Sequence, residues 1–316
     1  MFLRNLCLLV LALFSPVLPA QQQPAVTDIP VPGALQPVEA DAGISEFVRL
    51  KFGQNKQPLS LQVAVVRFVP RSGNSNLHVD LISAVHIGES AYYQTINALF
   101  PHYDAVLYEL VAPQGTRIVR DGNERKGVVS GLQGWMGDAL GMRMQLEEVD
   151  YTLPNLVHAD LSPEEFSQSM KERNESVVGL IGRAWIAGMG QQYSTRAALS
   201  QARLFKNLLS GNRELALKTF AAEQMMLSAG LDDAIEGPDG STLVSVRNKK
   251  ALQVLRREIA AGKQKLAIFY GVAHMPDIAR RLVAEFDLVP DWVGWIDAWN
   301  LRQGPDVPSR GFQTRR

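Results

Sequence analysis

The chain has 316 residues, 46% of them hydrophobic and 20% charged, and its 32 basic and 32 acidic side chains leave no net charge. That composition suits a globular protein with a large core. The charge balance gives no electrostatic footprint for nucleic acid and no polybasic patch for a membrane surface. The single cysteine, Cys7, lies in an N-terminal apolar run. A chain cleaved behind that run has no disulfide, and any metal site in it must use His, Asp or Glu.

Arg4 followed by the apolar run 6–14 and then Ser15 to Ala20 reads as a secretory signal at 1–20. Secretion is therefore expected, with the periplasm as destination. No later stretch is apolar enough over sufficient length to span a membrane. Residues 21–43, rich in Gln, Pro and Ala, read as a flexible leader. A single α/β domain is expected over 44–302, followed by a disordered tail at 303–316.

Within the domain, 44–52 suggests a short helix and 59–69 a strand that turns back into the strand at 78–85. The outer strand of this hairpin could guard a sheet edge. The second strand ends at His86 and leads into a helix over 91–100, with Ser90 a candidate N-cap. A further apolar run, 105–108, ends at Glu109. Strand, helix and strand at this spacing imply parallel strands, which brings His86 and Glu109 to the carboxyl edge of the sheet.

The next part, 127–150, has helical periodicity, and an extended or irregular segment at 151–160 carries His158 and Asp160. Ser162, Pro163 and Glu165 then form a helix start. Residues 164–229 read as mostly helical, and an all-helical insertion is expected over about 128–236. Another helix spans 241–260. A strand at 265–270 runs into Gly271-Val272-Ala273-His274 and a helix follows, repeating the strand–His–helix device. Residues 292–301 suggest a last edge strand whose three tryptophans serve as packing anchors.

His86, Glu109 and His274 each end an apolar strand. Two histidines and a carboxylate suit a hydrolytic divalent ion that keeps one position open for water. Glu109 would be a ligand of that ion or the base that positions the water. Mn, Co and Zn all fit such a donor set. His158 and Asp160 are weaker candidates, because capping and loop order explain them equally well. His78 and His102 fall at the opposite edge and read as structural, and Glu89 equally suits a helix's first turn. The chain has no Gly-x-Ser-x-Gly elbow, P-loop or His-Glu-x-x-His motif.

The ordered motifs SAVH at 83–86, AVLYELVAP at 105–113, Arg247-Asn248 and GVAH at 271–274 resemble the TraB/PrgY/GumN family, which includes the Tiki proteins. The resemblance spans about 65–288 and departs from the family at Ser83, where Gly is usual. It implies a central mixed, mainly parallel sheet built from two related halves, and for the Tiki branch a metal-dependent peptidase. On that basis His86, Glu109 and His274 would hold the ion, and Arg247 would orient a peptide or protein substrate or stabilise an oxyanion. A non-catalytic protein that binds a peptide or small ligand in the same cleft is the competing expectation, and ester hydrolysis a third.

Overall fold

The computed structural model describes residues 36–38, 46–73, 75–113, 116, 142–176, 213–228 and 240–302. The expected signal at 1–20, most of the leader, residues 127–141 and 177–212, and the tail at 303–316 lie outside the described residues, as does most of the expected insertion.

The elements, in chain order, are β1 (Gln36–Pro37), β2 (Val48–Phe52), β3 (Pro58–Pro70), β4 (His78–Ala84), β5 (Ile87–Gly88), α1 (Ser90–Leu99), β6 (Ala105–Tyr108), β7 (Arg143–Met144), α2 (Gln145–Glu148), β8 (Leu156–His158), α3 (Pro163–Glu172), α4 (Arg213–Ser228), α5 (Arg247–Ala260), β9 (Lys265–Gly271), α6 (Met275–Phe286) and β10 (Leu288–Asn300). One sheet has the order β1-β10-β3-β4-β9-β6-β8, with β2 also paired to β3, and β5 and β7 form a separate small ribbon. Strands β4, β9, β6 and β8 are parallel. Strand β3 runs antiparallel to β4, β2 and β10. The architecture is a mixed-sheet α/β fold.

The apolar strand runs explain why the sheet is buried on both faces. One face carries Val66, Val79, Leu81, Leu107, Leu266 and Ile268, packed with Leu252 and Leu255 of α5 and Ile278 and Leu282 of α6. The other face receives α1 through buried Tyr92, Tyr93, Ile96 and Leu99, and the Phe100 ring meets Phe269 edge-on at 5.2 Å. Helix α5 ends at Gly262, whose φ of +87° is a conformation glycine adopts without strain.

The expected β4–α1–β6 unit forms and its strands are parallel, but they are not neighbours. Strand β9, from far along the chain, lies between them. Other expectations change as well. Residues 48–52 form β2 rather than a helix, because β3 offers an unpaired strand side there and alternation at Val48 and Leu50 suits it. Strand β3 is internal, flanked by β10 on one side and by β2 and β4 on the other, so it guards no edge. Strand β10 starts at Leu288 and is covered in part by β1, a piece of the expected leader. The helical pattern before Asp150 yields β7 and only a single helical turn in α2 among the described residues. The capping box at α3 forms as expected, with Ser162 and Glu165 satisfying each other's backbone N–H groups.

Candidate functional site

Parallel pairing decides which strand ends meet. Ala84 lies beside Gly271, and the Glu109 N–H donates to Phe269 O at 3.3 Å. His86, Glu109, His158 and His274 therefore all follow strand ends at one edge, the carboxyl edge that the sequence predicts. Helix α5 brings its first turn to the same place. A wide turn at Thr242–Val246, capped by the Ser241 hydroxyl, precedes it, so that Arg247 and Asn248 open the regular helix. Wide turns of this kind often mark functional positions.

Arg247 is the centre of the cluster. Its Nε donates to Asp160 Oδ1 at 2.9 Å, and its Nη2 donates to Asp160 Oδ2 at 2.5 Å and to Glu109 Oε1 at 2.7 Å. Its third nitrogen, Nη1, has only long contacts: Leu243 O at 3.4 Å and His274 Nε2 at 3.5 Å. Both are at the weak end of hydrogen bonding. Nη1 thus keeps donor capacity beside His274.

Glu109 is equally constrained. Its Oε2 accepts the Gly271 N–H at 2.7 Å, and its Oε1 lies 3.5 Å from His274 Nε2. Burial by itself would raise the carboxyl. The charge and hydrogen bonding of His274 in its imidazolium form, the Arg247 guanidinium and the Gly271 N–H outweigh that and hold it well below the usual carboxylate range. Gly271 eases this approach, since a Cβ there would stand 3.1 Å from Glu109 Oε2 and push the carboxylate back. Burial by itself would lower the Arg247 guanidinium, but Asp160 and Glu109 together raise it further. One guanidinium faces two carboxylates, so the cluster carries one net negative charge when His274 is neutral.

His274 is buried and fixed on the opposite side of its ring. Its Nδ1 lies 2.7 Å from Asn248 Oδ1, and the Asn248 amide nitrogen donates to Asp277 Oδ2 at 2.9 Å. The Tyr270 ring meets the imidazole edge-on at 5.3 Å, and the Tyr270 hydroxyl donates to Ala159 O at 2.6 Å. Burial first, then the Asp160 and Glu109 charges, keep that phenol well above its usual value and therefore neutral.

The structure brings Glu109, Arg247, Asp160 and His274 together. It does not bring in His86, whose side chain is exposed and makes no hydrogen bond or ion pair among the described residues. Nor does it bring in His158, whose Nε2 pairs with Leu110 O at 2.6 Å while its ring packs 5.7 Å from Tyr108. His158 ties down the loop after β6. Glu89 is held by Lys218 of α4 and by the Asn300 N–H. Asn248, Tyr270 and Asp277 escaped the sequence reading as individual site residues. The signal was there for two of them: an amide next to Arg247 at a helix start, and an acid three residues after His274.

A divalent ion of the kind the resemblance implies does not fit this donor set as it stands. Glu109 Oε1 and His274 Nε2 converge, but Arg247 already lies against both, and the third expected ligand, His86, forms no hydrogen bond or ion pair with either. Among the described residues no group of three or more His, Cys, Asp or Glu side chains is placed to hold a metal. Set against protein-family models, curated proteins and solved structures, the chain matches none of them.

Proposed function

We propose that this chain is a hydrolase of neutral acyl bonds, peptide bonds first, that acts after secretion behind its N-terminal apolar segment. One observation carries the reading. In a buried cluster whose other polar atoms are committed, Arg247 Nη1 and His274 Nε2 lie side by side with capacity left. Nη1 is a donor suited to a carbonyl oxygen, and Nε2 is a base suited to a water. The negative charge left by Asp160 and Glu109 disfavours anionic groups and suits a neutral acyl group. The ordered motifs that resemble the TraB/PrgY/GumN family support the same class of reaction.

In this mechanism water bound at His274 Nε2 attacks the carbonyl carbon and gives its proton to Nε2. The carbonyl oxygen, now an oxyanion, is held by Arg247 Nη1. Glu109, kept ionised, faces the imidazolium that forms. Collapse of the tetrahedral intermediate breaks the acyl bond, and the leaving group takes the proton from Nε2.

The test combines turnover with elemental analysis. Purified protein is assayed against a fluorogenic peptide library and an ester panel, with and without a chelator, beside His274→Gln. The expected outcome is turnover that survives chelation and falls roughly 10²–10⁴-fold in the variant. Stoichiometric divalent metal and loss of turnover on chelation would replace this scheme with the metal-dependent peptidase that the motif order suggests. Absent turnover, with peptide capture that persists in His274→Gln, would establish a non-catalytic binding protein.

A further inference from the structure

We infer that Asp277 and Asn248 are positioning residues that lock His274 in the tautomer protonated at Nδ1, so that the Nε2 lone pair faces Arg247 and Glu109. The Asn248 side-chain nitrogen lies 2.9 Å from Asp277 Oδ2 and 3.3 Å from His274 O. Both partners accept only, so the amide end placed there must be the NH₂ group. Asn248 Oδ1 then points at His274 Nδ1, 2.7 Å away. A carbonyl oxygen cannot donate, so the hydrogen in that contact belongs to Nδ1. The Nε2 atom is left as the acceptor.

Asp277 is itself held in place. Arg281 Nε donates to its Oδ2 at 2.8 Å, and Arg280 Nη2 approaches its Oδ1 at 3.4 Å. Asp277 is in the first turn of α6 and Asn248 in the first turn of α5, where a helix N-terminus favours an acidic group. The relay therefore runs from two exposed or half-buried arginines, through a carboxylate and an amide, to a buried imidazole. It resembles in logic the third member of a catalytic triad, which orients the base without touching substrate. An amide in this position orients the ring without adding a charge, which suits a site that already holds two carboxylates.

The catalytic meaning of the relay rests on the hydrolase reading, but the tautomer is measured in the folded protein whether or not any substrate is cleaved. Full-length protein labelled with ¹⁵N-histidine is examined by long-range ¹H–¹⁵N correlation at pH about 9, above the usual imidazole range near 6.5. The His274 signals are assigned by their absence in His274→Gln. The expected spectrum shows a protonated Nδ1 and an unprotonated Nε2. Asn248→Leu removes the acceptor and shifts His274 toward protonation at Nε2. Asn248→Asp restores an acceptor and keeps the wild-type tautomer. Asp277→Asn lets the Asn248 amide turn over and gives a mixture. Where turnover is measurable, Asn248→Leu lowers kcat while KM holds, and Asn248→Asp recovers part of the loss. A wild-type His274 protonated at Nε2 would overturn the inference, as would an Nδ1–H tautomer that persists in Asn248→Leu. The wild-type spectrum decides even if a variant fails to fold.

Discussion

Among the described residues two arginines are buried against carboxylates, and they are built differently. Arg67 and Asp80 are direct cross-strand partners on β3 and β4. Arg67 Nε and Nη2 donate to the two Asp80 oxygens at 2.8 and 2.9 Å, and the Tyr103 hydroxyl donates to Oδ2 at 2.8 Å. The guanidinium also lies 4.9 Å from the centre of the Trp292 ring. Charge is balanced one to one, and the pair sits inside a sheet. Arg247 faces two carboxylates and an imidazole at the sheet's open edge, with one nitrogen held only by long contacts. The first arrangement is complete and specifies register. The second is charged and keeps a donor and an acceptor side by side in long contacts only, which is what chemistry on a substrate needs.

Breaking each cluster should therefore fail in a different way. Asp80→Ala leaves Arg67 buried without its partner, and the expected cost is about 3–5 kcal/mol of folding stability, read from denaturant unfolding. A loss within experimental error would mean that Asp80 does not offset the burial of the Arg67 charge. Arg247→Lys supplies charge without the planar fork, so it cannot span Asp160 and Glu109 while presenting a third nitrogen. Turnover should drop about 10²–10³-fold with the fold retained. Equal activity in wild type and Arg247→Lys would remove the guanidinium from the mechanism.

Glu109 is held well below its ordinary value of 4.5. A carboxyl whose folded value is depressed adds stability that is fully present above the unfolded value and is lost as pH falls through the folded one. Unfolding free energies of wild type and Glu109→Gln, measured from pH 7 downward, should differ by a constant amount above about pH 5 and converge below 4.5. Curves that stay parallel to the lowest pH reached would show that Glu109 is not depressed. The smallest effect is expected at His86, which the sequence singled out and the structure leaves exposed. His86→Ala should change stability by less than about 0.5 kcal/mol and leave turnover intact. A large loss of activity in that variant would return His86 to the site, and with it the case for a bound ion.

Much of the site was legible before the structure. Apolar runs ending in His86, Glu109 and His274, separated by helical segments, point to one sheet edge, and parallel pairing does place those residues there. What the sequence could not tell is which side chains at that edge face one another. His86 and His274 follow the same local pattern, yet only the His274 ring meets an amide acceptor, Asn248 at the start of α5. Asp160 looked like a cap, and its Oδ1 does accept the Leu161 N–H at 2.7 Å, but the same carboxylate also clamps Arg247.

Local chemistry in the sequence determined the strand runs, the capping box at Ser162, the glycine stop at Gly262 and the α/β class, because hydrophobic period and cap geometry act over a few residues. Tertiary structure alone decided that β9 separates β4 from β6, that 48–52 joins the sheet, and that Arg247 lies against Glu109 and His274. Those outcomes depend on pairing between segments from 27 residues apart, as for Arg247 and His274, to 138 apart, as for Arg247 and Glu109, or on which strand side is left open. No local pattern encodes either, since the contacts form only when the whole sheet assembles.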